Sequence, residues 1–340
     1  MTAGRASATA VLLAVLVCVV AAGPVAAQTV LAVEAGPTSV SAYGGVVAWS
    51  SFDETSRTYR LRMWSAGLAS EVPTPARRVP FDVDVGPDAR GRPTLVYSRC
   101  RRDPEPVSAF SGQPEWRWAR GCDLYRHRPG AGGERRLRAV SSRRASESLP
   151  AVWGDAIAFS RVAEPRGRRR GEVPTLHLTS LRGKPLRRIR VGSTGRLERF
   201  DPGGPPIGGP TPTEMDLHRR TLVFAWEYLG RSCAPPDPDD EDPLDPPPST
   251  EVRLDAPGGR TLLERRCDAT GVFGATFDGS SPIWLRRRLD DSSALRGGDS
   301  RGETDFGIAV AVDGDALVRV RATGGRGYEV IWSSTASPPG

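Results

Sequence analysis

Few residues in this 340-residue chain have the types and spacing that chemistry requires. His127, His177 and His218 are the only histidines, and they share no metal-ligand spacing, so they read as separate strand or turn residues rather than a zinc site or a triad. Gly298-Asp299-Ser300-Arg301-Gly302 matches G-x-S-x-G, the spacing that exposes a serine nucleophile on a strand-to-helix turn. No apolar strand leads into it and no helical pattern follows, so a loop is expected there. Asp237 to Asp245 packs six acids into nine residues and begins like a calcium loop. Asp242 stands where the turn glycine belongs and Pro248 where the bidentate glutamate belongs, so an extended, solvated loop is the reading. Asp82, Asp84, Asp216 and Asp278 fall on or near candidate inner strands. A glycosidase needs two carboxyls at a fixed separation, and acids are too plentiful here for sequence to choose the pair. No catalytic residue, metal ligand or cofactor is therefore assigned.

Recognition chemistry is better represented. The stretch between Cys100 and Cys122 carries Phe110, Trp116, Arg117 and Trp118. Large aromatics and arginine dominate binding hot spots, so Trp116, Arg117 and Trp118 in a disulfide-tethered loop form a candidate contact patch for a protein or a sugar. The alternative is that both tryptophans fold back onto the sheet beneath. Arg161 to Arg199 holds twelve basic and three acidic residues and offers either an anion-binding surface or an arginine-rich solvated face.

The elements that position these residues repeat. Two or three small or apolar residues followed by an aromatic recur as Val46-Val47-Ala48-Trp49, Leu95-Val96-Tyr97, Ile157-Ala158-Phe159, Leu222-Val223-Phe224 and Pro282-Ile283-Trp284, the aromatics 48, 62, 65 and 60 residues apart. That period suits a four-stranded blade with loop insertions. In the first unit Ser39 to Tyr43, Val46 to Ser50, Thr58 to Trp64 and Ser70 to Thr74 read as its strands. The second offers Phe81 to Val85, a Gly86 to Gly91 turn, Thr94 to Arg99, Cys122 to Arg126 and Arg136 to Val140. Leu149 to Trp153, Ala156 to Val162, Thr175 to Leu181 and Leu186 to Val191 form the third. Glu214 to Leu217, Thr221 to Trp226, Glu251 to Leu254 and Thr261 to Arg265 form the fourth. Val272 to Phe277 and Pro282 to Leu285 give two strands of a fifth, while Asp290 to Thr304 is too polar and Gly-rich to complete it. A last unit has Ile308 to Val312, Ala316 to Arg321 and Tyr328 to Trp332. It lacks a fourth strand, which Thr29 to Val33 can supply from the other end of the chain, removing two open sheet edges. The second strand is apolar or small on both faces, as a strand sandwiched between neighbouring blades should be. The expected fold is all-β: a β-propeller of six four-stranded blades, or five if residues 272–285 belong to an insertion, closed by the mature N-terminal strand. Loop insertions are expected at 101–121, 163–173, 192–212 and 231–249 of a single domain spanning 28–340.

On the turn, apolar strand and aromatic of Tyr43-Gly44-Gly45-Val46-Val47-Ala48-Trp49-Ser50 and Trp153-Gly154-Asp155-Ala156-Ile157-Ala158-Phe159-Ser160, the chain resembles the TolB-like and WD-repeat-like propellers exported by high-GC bacteria. The Trp-Asp dipeptide of WD-repeats is absent. The resemblance implies a fold, with members acting as binding scaffolds or as supports for catalysis.

Arg5, the apolar run Ala8 to Ala22 and Val25-Ala26-Ala27 have the layout of a signal peptide, with cleavage expected after Ala27 and no membrane span thereafter. Val17 before Cys18 does not suit a lipoprotein anchor. The remaining Cys100, Cys122, Cys233 and Cys267 are even in number, as disulfides in an exported protein should be, and too far apart for a zinc site. Three pairings are possible, and chain neighbours within a blade are the economical choice, Cys100 with Cys122 and Cys233 with Cys267. The net charge of +7 argues only weakly for nucleic acid, since Lys184 is the one lysine among 47 basic residues and 40 acids are interspersed. Arginine excess alongside abundant Ala, Gly and Pro reads as codon bias. These features point to a secreted, non-enzymatic binding or scaffold module for a protein or cell-envelope polymer, with an extracellular hydrolase or lyase of polysaccharide or peptide as the alternative. Non-reducing peptide mapping of the exported protein should recover both proposed disulfides, and free thiols at all four cysteines would refute the pairing and the compartment together.

Overall fold

The computed structural model describes residues 27–104, 119–163, 174–189, 211–228, 249–266, 271–287, 293–298, 307–323 and 327–334. Strand β1 (Ala27–Glu34) precedes the first blade, β2 (Val40–Tyr43), β3 (Val46–Asp53), β4 (Thr58–Ser65) and β5 (Leu68–Glu71). The second blade is β6 (Asp84–Pro87), β7 (Pro93–Arg99), β8 (Asp123–His127) and β9 (Arg135–Arg136). The third is β10 (Ala145–Trp153), β11 (Ala156–Ala163), β12 (Thr175–Ser180) and β13 (Pro185–Ile189). The fourth is β14 (Thr211–His218), β15 (Thr221–Tyr228), β16 (Ser249–Ala256) and β17 (Gly259–Arg266). The fifth is β18 (Val272–Asp278), β19 (Ser281–Arg287) and β20 (Ser293–Gly297), and the sixth is β21 (Gly307–Asp313), β22 (Ala316–Ala322) and β23 (Tyr328–Ser334). All pairings within the blades are antiparallel, and each first strand touches the first strands of both neighbouring blades, so six blades close a ring. The protein is an all-β, six-bladed propeller.

Closure is made by β1, which pairs with β23 through Thr29 opposite Trp332 and Glu34 opposite Tyr328, as the spare N-terminal strand requires. The repeated motif supplies the packing. Trp49, Tyr97, Phe159 and Phe224 are completely buried on second strands, between blades, and Trp284 nearly so. Each such side chain stabilises the fold by roughly 1.5–3 kcal/mol through apolar burial. The indoles also tie blades together: Trp49 Nε1–H donates to Glu34 of the sixth blade at 2.7 Å, and Trp284 Nε1–H to Glu264 of the fourth at 2.6 Å.

Several boundaries differ from the sequence reading. The second blade's inner strand is Asp84–Pro87 rather than Phe81 to Val85, and Gly86 lies inside it rather than in a turn. A Cβ on Gly86 would sit 2.0 Å from the Val152 carbonyl oxygen, so glycine is there to let the third blade approach. Strand β5 runs Leu68–Glu71 rather than Ser70 to Thr74 because Ala66 and Gly67, both with positive φ, form a tight turn directly after β4. Residues Ser293–Gly297 form a third strand of the fifth blade despite their polar neighbours, since Ala294 and Leu295 are buried there. Thr211 and Pro212 belong to β14, not to an insertion. Deleting Thr29 to Val33 should expose the edge of β23 and lower the melting temperature by more than about 5 °C or cause aggregation. A deletion variant that melts like the parent and stays monomeric would show that β1 does not hold the ring shut.

Candidate functional site

Inner strands converge on a central channel, and their alternation decides what faces it. Asp82 and Asp84 of the second blade and Glu214 and Asp216 of the fourth are spaced two apart, so each pair points the same way, into the channel. Both pairs hold the next blade. Asp82 Oδ2 accepts the Leu149 N–H at 2.8 Å and Asp84 Oδ2 accepts the Val152 N–H at 2.7 Å. Glu214 accepts the Gly274 N–H, and Asp216 Oδ2 accepts the Phe277 N–H at 2.9 Å and the Thr276 hydroxyl at 2.6 Å. In each case the two N–H groups lie three residues apart on a bulged strand. The register of β10 slips between Ser148 and Ala151, and that of β18 between Phe273 and Thr276. Leu149 and Gly274 take positive φ there, which turns an N–H out of the ladder and toward the carboxylate. Positive φ is costly for leucine, and the bond to Asp82 offsets part of that cost. In the sixth blade, the next in this alternation, Ala309 and Ala311 occupy the corresponding channel-facing positions and carry no acid.

The remaining bonds satisfy these carboxyls further. Asp82 Oδ1 receives the Ser98 N–H at 3.0 Å and Arg77 Nη1 at 3.3 Å. Asp84 Oδ1 lies 2.9 Å from Ser41 Oγ of the first blade, which itself accepts the Val85 N–H. The space they line is about 90 Å³ and is shared with apolar residues such as Val40, Phe81, Met215 and Val310. It admits a few waters and falls well below the several hundred Å³ of a small-molecule pocket. At the face of the first turns lies an arc of rings, Tyr43 to Trp153 at 5.7 Å, Trp153 to His218 at 4.2 Å and His218 to Phe277 at 5.7 Å between centroids.

Burial sets the protonation of the site. Desolvation, and next the charge of Asp216, push Asp84 up to about 8. Glu214 is pushed up to about 7 by desolvation, against the lowering effect of the Gly274 and Ala275 N–H groups. Asp216 is also raised by desolvation, opposed by its bonds to Thr276 and Phe277. Glu214 and Asp216 keep some surface and line this space.

Of the acids singled out in sequence, Asp82, Asp84 and Asp216 meet in the channel, whereas Asp278 sits at the turn end of β18 and does not line it. Glu214 was missed, and its spacing of two from Asp216, repeating Asp82 and Asp84, was the available signal. His127 is buried at the end of β8, His177 stacks on Phe159 and His218 touches Trp153, so the three remain apart. Among the described residues no cluster of His, Cys, Asp and Glu has metal-site geometry. Cys100 and Cys122 form a disulfide, with sulfurs 2.05 Å apart. Trp116, Arg117, Trp118, Cys233, Cys267, the acidic stretch 237–245, Ser300 and Arg168 to Arg170 lie outside the described residues. Arg161 and Arg187 pair with Glu147 and Asp255, which removes them from any anion-binding face.

Neither a family model nor a curated protein matches the chain. Solved structures do. The α-L-arabinanase of Penicillium chrysogenum, complexed with arabinobiose, aligns over 92% of this chain and 99% of its own at 10% identity and a TM-score of 0.47. The β-propeller domain of the Trilobed protease from Pyrococcus furiosus aligns over 91% and 97% at 8% identity and a TM-score of 0.44. The acylaminoacyl peptidase of Pyrococcus horikoshii aligns over 90% of this chain and 53% of its own, at 9% identity and a TM-score of 0.45. The likeness is one of β-propellers.

The raised acids predict a pH effect. An unfolded aspartic acid titrates near about 3.9, so between there and about 8 the folded protein holds a proton on Asp84 that the unfolded chain has lost. Its contribution to stability is complete below about pH 3.9 and falls progressively as pH rises to about 8. Asp84→Asn mimics the protonated acid, so chemical denaturation at pH 5 and pH 8 should show a smaller loss for the variant than for the parent. Comparing the two isolates Asp84 from His127 and His218, whose burial pushes their pKa down and works the other way. An equal or larger loss in the variant would mean that Asp84 is ionised in the folded ring.

Proposed function

We propose that this chain is an exported, TolB-like propeller that acts as a non-enzymatic binding or scaffold module for a protein or cell-envelope polymer. The carrying observation is that the channel acids, where a propeller hydrolase would place its chemistry, hold the blades together. Asp82, Asp84, Glu214 and Asp216 each accept a backbone N–H from the adjacent blade, around a space that admits only a few waters. General acid–base catalysis requires a carboxyl within reach of a bound substrate, and the bonds to the adjacent blades leave these carboxyls little bonding capacity for one. The Cys100–Cys122 disulfide fits an extracytoplasmic protein, and no helix among the described residues is long and apolar enough to cross a membrane. The hydrolase alternative draws support from Asp84 and Glu214, whose raised pKa values would keep a proton available near neutrality.

The recognition surface on this reading is the aromatic patch Trp116, Arg117 and Trp118. Buried aromatic anchors contribute on the order of 2 kcal/mol each, so replacing Trp116 and Trp118 by Ala should weaken retention on isolated envelope material by well over tenfold while the melting temperature holds. Unchanged binding by the folded double variant would move recognition elsewhere. Turnover of polysaccharide or peptide that vanishes in Glu214→Gln would instead establish the hydrolase.

A further inference from the structure

The seam where the ring closes contains a second, larger space. Between β1 and the first blade runs a groove of about 490 Å³. Glu34 and Arg62 both line it. Glu34 is only 4% exposed, and among the described residues its side chain is bonded by the Trp49 indole alone. Arg62 stands directly opposite Trp49 in the β3–β4 ladder, and its Nε–H is buried with no acceptor. Among the described residues neither forms an ion pair, although one groove holds both. Glu34 is buried and Arg62 half-buried, so a molecule that enters the groove can bond to the carboxylate of the first and to the Nη groups of the second.

We propose that this groove is a binding site for a neutral saccharide of one or two rings, such as the end or a segment of an envelope glycan. The inference rests on the binding reading above and gives it a substrate class. A simple anion would satisfy Arg62 but is opposed by Glu34 and by the nearby Asp53 and Glu54. A simple cation would satisfy the acids but is opposed by the Arg62 guanidinium. A hydroxyl group both donates and accepts, so adjacent sugar hydroxyls can donate to Glu34 and accept from Arg62 without introducing charge. The groove volume lies within the range of small-ligand sites, whereas a single zwitterionic amino acid would leave most of it empty. Phe52 and the strongly exposed Val33 give the rim apolar surface against which the C–H face of a sugar ring can lie.

The test uses the full chain and titrates cellobiose, maltose, mannobiose and N,N′-diacetylchitobiose, with glycylglycine as the zwitterionic comparison. At least one disaccharide should bind saturably. Arg62→Ala and Ala69→Trp should each weaken that binding by about tenfold or more, the first by removing the charged donor and the second by filling the groove from its exposed wall. Arg138→Ala, on the second blade, should leave it unchanged. If Arg62→Ala lowers the melting temperature, the exposed Ala69→Trp carries the result alone. Binding of glycylglycine but no disaccharide, disaccharide binding that both variants retain, or no binding of any probe would overturn the proposal. Retention of the Arg62→Ala variant on envelope material at the parent's level would sink this site while leaving the broader binding reading intact.

Discussion

Six twisted sheets must pack face to face around an axis, and the structure depends on how neighbouring inner strands are held where they crowd together. Four carboxyls do much of this. Asp82 and Asp84 hold the third blade and Glu214 and Asp216 the fifth, each by accepting N–H groups that bulges in β10 and β18 release from their own ladders. An unpaired buried N–H is expensive, and so is a buried carboxylate, so each group satisfies the other. The sixth blade, with Ala309 and Ala311 in these positions, is held differently. Its Asp313 accepts the Gly44 and Gly45 N–H groups of the first blade at 2.7 and 2.6 Å, at the turn beside the channel mouth.

Toward the rim the same problem is solved with arginine. Glu251 is bracketed by Arg253 and Arg265, Asp255 by Arg187 and Arg260, and Glu264 by Arg286. Arg187 reaches from the third blade to Asp255 and to the Ala256 carbonyl of the fourth. A planar guanidinium spans two acceptors at once, which a lysine ammonium cannot do in the same geometry. Whatever codon usage supplied the arginines, many of the described ones are neutralised between or along blades. A charge of +7 therefore overstates the positive surface left for a partner.

This division bears on function. Where acids converge, they are engaged and desolvated, and the space between them is small. The wider space lies off the axis, at the closing seam, where β1 is the one strand contributed from outside its blade's run of sequence. Glu34 belongs to that strand and Arg62 to the blade it meets, so their juxtaposition exists only once the ring has closed.

Local pattern was enough to establish most of the strands, the blade period and the spare N-terminal strand. Alternation and the recurring aromatic are short-range properties, and burial on both faces demands an apolar sequence on both faces. Cys100 and Cys122 could likewise be paired from proximity within one blade. The channel could be approached but not resolved: Asp82, Asp84 and Asp216 stood among 40 acids, and Glu214 gave no sign beyond its spacing. What distinguishes these four is which backbone N–H of the next blade each one meets, and that depends on the bulges at Leu149 and Gly274. A bulge is a property of two strands in register, not of either sequence alone. The exclusion of Asp278, the place of Gly86 against Val152 and the meeting of Glu34 with Arg62 follow from the same fact. Each joins residues of different blades, and their separation was decided only when the twisted sheets packed.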